Sequence, residues 1–249
     1  MSLPALNMVS LKPDRTRLMT LAVAGKTLPR SGDLGYAIHQ MLTAVFGGAT
    51  PQPFQLLDQH GFQILGYSVH DEAALLDYAA LQKAQISNWE NISTALNLSA
   101  MEVRTMPSSW KSGRQYRFSV RTRPVMRINH AKQRGLAKEC DVFLRKIEAK
   151  VGNDNNEWLD RETVYLSWFR SQIAEDTARL AVLTVSAMKR TPVYRKGAPF
   201  IDGPDVTFTG VLEVADPIAF ASLLARGIGR HRAFGFGMLL LAPVNSYVE

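Results

Sequence analysis

The sequence predicts an α+β protein made of two successive units, each ordered strand, helix, strand, strand, helix, strand. Two observations predict it. Apolar residues switch between period-2 and helical spacing in the same order twice along the chain. Between the two runs lies Pro107 to Gly113, rich in Pro, Ser and Gly, as a linker would be. A length of 249 residues leaves room for two cores of roughly 100–125 residues each.

In the first unit, residues 1–106, a strand is expected from Ala5 to Leu11, followed by a basic turn and loop through Lys12, Arg15, Arg17, Lys26 and Arg30. A helix follows from Asp33 to Phe46. Ser31 and Asp33 are its candidate caps, and Gly47-Gly48 is its stop. Phe54–Leu57 and Phe62–Val69 read as a hairpin turning at Gln59 to Gly61, Asp71–Lys83 as a second helix, and Met101–Met106 as the fourth strand.

The linker 107–113 introduces the second unit, 114–249. Gln115 to Arg123 alternates as a strand, with Arg117, Ser119, Arg121 and Arg123 on one face and Tyr116, Phe118 and Val120 on the other. A helical insertion, about 129–178, holds helices near Ala131–Lys150 and Arg161–Ala174. Strands follow at Arg179–Met188 and Val206–Val214, then a helix opened by Asp216-Pro217 through about Ala225. A glycine-rich loop, 227–237, leads to a last strand, Met238–Leu241. Both units thus read as tandem ferredoxin-like (RRM-like) domains.

Composition excludes several classes. No apolar run reaches the ~20 residues of a membrane helix, so no membrane partner is expected. Cys140 is the sole cysteine, which rules out an internal disulfide and a Cys-based zinc site, and a reducing cytoplasm is the expected setting. No His-Glu-x-x-His or clustered carboxylates appear, so no metal and no other cofactor is expected. The formal charge of +7 favours a polyanionic partner. Its placement says more. From Arg104 to Lys138 there are ten basic residues and no acidic one, where a merely soluble surface would mix signs. Arg114, Arg117, Arg121, Arg123, Arg127, Lys132, Arg134 and Lys138 are the candidate cations for a phosphate-bearing polyanion, since guanidinium forks suit phosphate oxygens.

The loop Gly227-Ile228-Gly229-Arg230-His231-Arg232-Ala233-Phe234-Gly235-Phe236-Gly237 has four glycines, Gly227, Gly229, Gly235 and Gly237, around three side chains that can carry positive charge. Glycines allow positive φ and close approach of backbone to a ligand. Dinucleotide and NTP-loop fingerprints do not fit: the flanking elements are reversed and no Gly-Lys-Ser/Thr follows. This loop, with Met238 to Pro243 after it, resembles the C-terminal signature of the RAMP superfamily of CRISPR proteins. It is most similar to the repeat-processing endoribonuclease family of type I-E Cascade, CasE, or its type IV relatives. Val206 to Phe220 and Tyr116 to Arg127 extend the likeness, and Asp33 to Phe46 adds a shorter match. The resemblance implies two ferredoxin-like domains, a CRISPR repeat hairpin (crRNA) as ligand, a metal-free cut at its 3′ base, and other Cascade-like subunits as partners.

Metal-independent RNA cleavage needs a group to take the 2′-hydroxyl proton, one to protonate the leaving 5′-oxygen, and a cation at the phosphate. Histidine suits either proton task. On the predicted helix 33–46, Leu34, Ile38, Met41, Leu42 and Val45 form the buried stripe. His39 lies roughly 120° from its centre, with Tyr36 on the same outer side. The pair also resembles the catalytic Tyr/His pair of the CasE family. That family often carries a basic residue a turn further on, where this chain has Gln40, Thr43 and Ala44. The cation would then come from Arg30, Arg230 or Arg232, and His231 is the alternative proton carrier. A non-catalytic crRNA-binding RAMP scaffold is the rival reading; a DNA-binding regulator lacks a helix-turn-helix to support it.

Overall fold

A computed structural model describes residues 5–28, 32–58, 61–128, 138–150, 159–193 and 201–244. The first sheet is antiparallel with strand order β2-β3-β1-β4, formed by β1 (Asn7–Leu11), β2 (Phe54–Leu57), β3 (Gln63–Ser68) and β4 (Glu102–Thr105). Helices α1 (Arg15–Ala24), α2 (Gly35–Phe46), α3 (Glu72–Lys83) and α4 (Trp89–Leu96) accompany it. The second sheet has order β10-β5-β9-β8, from β5 (Gln115–Thr122), β8 (Ala178–Val193), β9 (Ile201–Val214) and β10 (Leu240–Pro243). Numbered within each unit, both sheets read 2-3-1-4, the ferredoxin-like order. A hairpin of β6 (Val125–Ile128) and β7 (Lys138–Asp141) and helices α5 (Val142–Lys150) and α6 (Arg161–Arg170) are inserted after β5, and α7 (Pro217–Arg226) precedes the loop.

Each helix forms for local reasons. Asp71, Asp160 and Asp216 cap α3, α6 and α7 by accepting backbone N–H bonds at 2.9, 2.8 and 2.6 Å. In α2 the expected stripe is buried: Ile38 and Val45 are fully covered, with Leu34, Met41 and Leu42 nearly so.

Two helices fall where none was predicted. The basic turn at Arg15 and Arg17 is the start of α1, capped by Asp14, which accepts from Arg17 N at 3.0 Å; Leu18 and Ala22 enter the core four residues apart. Trp89, Ile92 and Leu96 bury α4, with the polar Asn91, Ser93 and Thr94 between them. The predicted helix Ala131–Lys150 is shorter than expected. Lys138–Asp141 is strand, and α5 begins where the Asp141 carboxylate accepts from Phe143 N at 2.8 Å. Residues 131–137 of that prediction lie outside the described residues.

The two units share apolar packing. Tyr67 of β3 is buried in the core of the second unit, and its hydroxyl donates to the Leu239 carbonyl at 2.8 Å. Leu6, Met8 and Leu65 pack against the same core. No helix among the described residues is long and apolar enough to cross a membrane.

Candidate nucleic-acid interface and active site

His39 and Tyr36 meet the glycine-rich loop. A 3-10 turn at Arg232–Phe234 lies over the side of α2 that faces away from its own core. The Phe234 ring stands edge-on to His39 with centroids 5.2 Å apart, 5.9 Å from Tyr36 and 6.0 Å from His231. Tyr36 is therefore buried rather than outward in solvent as predicted, because the loop covers that face. Its hydroxyl accepts from Gln40 Nε2 at 2.9 Å. His39 remains half-buried, with Nδ1 3.5 Å from Thr43 Oγ1. Burial lowers its pKa from the ordinary histidine value, since desolvation disfavours the charged ring.

Next to Phe234 opens a cleft of ≈ 580 Å³ lined by Gln52, Arg127, Glu139, Arg230, His231 and Arg232, among others. Glu139, on β7, holds two of the loop's side chains. Its carboxylate accepts from Arg230 Nε and lies 2.6 Å from His231 Nε2. Burial opposes ionisation of Glu139, but the hydrogen bonds and charges of His231 and Arg230 prevail and bring its pKa down to about 2. Arg232 Nη1 donates to the Arg226 carbonyl. Among the described residues no carboxylate pairs with Arg232 or Arg127, so these cations face the cleft uncompensated.

All four loop glycines have positive φ, at +71, +74, +83 and +80° for Gly227, Gly229, Gly235 and Gly237. The close approach they permit is to this chain. A Cβ at Gly227 would meet Gly237 O at 2.7 Å and Pro53 Cγ at 2.8 Å, and one at Gly237 would overlap the Ile228 carbonyl. The glycines thus fold the loop onto itself and onto the first unit, and the residues from Arg230 to Phe234 line the cleft while Ile228 and Phe236 are buried.

The predicted row of arginines divides. Arg114 and Arg117 are exposed but lie toward the far end of β5, roughly 13–23 Å from Arg121 at strand rise. Arg121 and Arg123 are not presented to a ligand, which corrects the expectation from alternation alone. Arg123 is fully buried and donates to the Thr191 carbonyl at 2.6 Å; burial lowers its pKa. Arg121 is held by two carboxylates: Nη2 is 2.7 Å from Asp33 Oδ2 and 2.7 Å from Asp205 Oδ2, and Nε is 2.9 Å from Asp205 Oδ1. Burial opposes the Arg121 charge, yet Asp205 and Asp33 outweigh it and raise its pKa, while Arg121 in turn lowers that of Asp205. The pattern of one sequence face could not show that acids from residues 33 and 205 cover the strand's end. Arg30, Lys132 and Arg134 lie outside the described residues, as does the side chain of Lys138. Sequence reasoning assigns no site role to Glu139 or Asp205 and takes Asp33 only as a candidate helix cap. Nothing in the sequence pattern gives Phe234 a role. Among these, Glu139 carried a signal as the first acid after the basic stretch.

Among the described residues, no group of three or more His, Cys, Asp or Glu side chains is arranged to hold a metal ion.

A family model described as CRISPR associated protein matches residues 8–243. The chain belongs to that family. No curated protein sequence matches it significantly. Among solved structures it is similar to the CRISPR endoribonuclease Cse3 bound to a 19-nucleotide RNA, at 18% identity, TM-score 0.62, covering 96% of this chain and 98% of that one. Thermus thermophilus Cse3 bound to an RNA representing a pre-cleavage complex gives 17% identity and TM-score 0.62, over 96% and 100%. The CRISPR-associated protein Cas6e from Escherichia coli gives 20% identity and TM-score 0.54, over 96% and 100%. At these identities the likeness establishes the fold, two ferredoxin-like units along nearly the whole of both chains.

Proposed function

We propose that this chain is a metal-independent endoribonuclease that binds the hairpin of a CRISPR repeat RNA and cuts precursor crRNA at its 3′ base. It would keep the product within a Cascade-like complex in the cytoplasm. The observation that carries this reading is the meeting of His39 with a cationic cleft across one aromatic ring, Phe234. In-line transesterification needs an unprotonated base at the 2′-oxygen, and a half-buried imidazole with lowered pKa is unprotonated near neutral pH. Arg232 and Arg127 supply the cation that Gln40, Thr43 and Ala44 do not, stabilising charge on the phosphorane. An A-form stem would be held through phosphates by exposed arginines. The similar Cse3 structures, each bound to RNA, support the substrate class, and the match to a CRISPR RNA-guided surveillance complex (15% identity, TM-score 0.53) supports the assembly.

The scaffold reading draws on a different observation. Glu139 occupies both Arg230 and His231, and Tyr36 is buried, so three of the groups expected to act are engaged within the protein. Incubation of the purified protein with hairpin-bearing repeat RNA in EDTA separates the two readings. The endoribonuclease gives a single cut leaving a 2′,3′-cyclic phosphate, and His39→Ala slows it by about 10²-fold or more with hairpin affinity kept. A wild-type protein that binds the hairpin and leaves it whole is a scaffold.

A further inference from the structure

We propose that Arg121 is a positioning residue of this site, not an RNA contact: with Asp33 and Asp205 it fixes α2, and so His39, against the glycine-rich loop. The inference rests on the cleavage function proposed above. It accounts for a buried cation that function leaves unused.

One residue touches both parts of the site. Through its backbone, the Arg121 carbonyl accepts from Gly237 N at 2.7 Å, pinning the end of the loop to β5. Through its side chain it reaches Asp33, two residues before α2. The Asp33 carboxylate is shared. Oδ2 takes Arg121, while Oδ1 accepts from Gly35 N at 3.0 Å, so the group that receives the guanidinium also orders the first residue of the helix. The guanidinium is fixed in turn by donating two bonds to Asp205, to which Thr191 Oγ1 also donates at 2.7 Å, and lies 4.3 Å over the Phe236 ring. Lys189 approaches Asp205 at 3.8 Å.

A buried triad of this kind adds little net stability, because desolvation offsets attraction; what two-pronged bonds supply is geometry. The side chains of Arg121, Asp33 and Asp205 are only 16%, 15% and 2% exposed, so a phosphate does not reach the guanidinium without displacing a carboxylate. His39 lies four residues beyond Gly35, roughly 6 Å along the helix axis. A change in the direction of the helix start is carried to its imidazole.

Asp33→Asn is the test. An amide can accept from Arg121 or from Gly35 N, but its oxygen cannot replace both carboxylate oxygens, and the Arg121–Asp205 pair stays intact. The expected results are faster hydrogen exchange at the amides of residues 34–46, a single-turnover cleavage rate lowered by about tenfold or more, and a hairpin Kd within about twofold of wild type. Arg121→Lys, which keeps the charge and loses the fork, should lower the rate in the same way. The two changes combined should cost little more than either alone. Wild-type exchange together with a wild-type rate in Asp33→Asn overturns the proposal. A Kd that rises in step with the loss of cleavage also overturns it, since Arg121 would then act on the RNA. If the wild-type protein cuts no repeat RNA, the cleavage reading fails, while the exchange of α2 still decides for or against the clamp.

Discussion

Replacing Gly35 by alanine pits helix stability against the geometry of the site. Gly35 is the first residue of α2, and a Cβ there would overlap the Phe234 carbonyl oxygen, with the Phe234 carbonyl carbon at 2.9 Å and Asp33 Oδ1 at 3.0 Å. The overlap with the Phe234 oxygen is the tightest of these, and relieving it to an ordinary carbon–oxygen contact of about 3.2 Å requires helix and loop to part by about 1 Å. A displacement of that size in reacting groups costs about 10²-fold in rate, so Gly35→Ala should lose about 10²-fold. Stability moves less. Alanine favours the helix by about 1 kcal/mol, against about 1–3 kcal/mol of strain. The net cost of about 0–2 kcal/mol lowers Tm by at most about 8 °C in a chain of this size. Single-turnover cleavage of repeat RNA at saturating protein, beside a thermal melt, measures both. A rate within about twofold of wild type in a folded Gly35→Ala protein would refute the idea that the α2–loop contact sets the chemistry.

Other predictions use different handles. If His39 is the base, cleavage increases with pH and reaches half its plateau below the ordinary value of 6.5, because burial favours the neutral ring; a single-turnover profile with its midpoint above 6.5 would contradict this. The Glu139 carboxyl has a folded pKa of about 2 against 4.5 unfolded, so it contributes stability above 4.5 that is lost as pH falls toward 2. Glu139→Gln should destabilise by about 1.5–3 kcal/mol at pH 7 and flatten that acid slope in urea melts at pH 7 and 3. Arg123→Met removes the buried bond to the Thr191 carbonyl and should cost about 1–3 kcal/mol of stability with hairpin Kd unchanged in filter binding, the reverse of what charge patterning predicts. Arg127→Glu with Arg232→Glu should weaken hairpin binding and reduce the salt slope of log K by about 0.7–0.9 per lost phosphate contact, read from affinities at several salt concentrations.

What could be read from the sequence follows from how local each signal is. The strand-helix order was legible because β5 and α2 carry their periodicity within a dozen residues, and Asp216-Pro217 announces α7 on its own. Helix α4 was not, because Trp89, Ile92 and Leu96 keep helical spacing over only eight residues, too short a run for periodicity to separate helix from loop. At the site, His39 stood out by its angle from the buried stripe, and the loop by its glycines. That they face one another across Phe234 depends on how the two units pack, and no window of sequence contains it. The charge pattern misled at Arg121 and Arg123 for the same reason. Alternation tells which face a side chain takes, while distant partners decide whether that face is open: Asp33 and Asp205, 88 and 84 positions away, for Arg121, and the Thr191 carbonyl, 68 positions away, for Arg123.

The Tyr67 hydroxyl, bonded to the Leu239 carbonyl in a core to which Leu6, Met8 and Leu65 also contribute, makes the two halves thermodynamically one body. Cutting the chain at the linker would leave an oily face on one fragment and an orphaned carbonyl on the other. Calorimetry should accordingly record a single melting endotherm, and neither fragment should be recovered soluble when made alone.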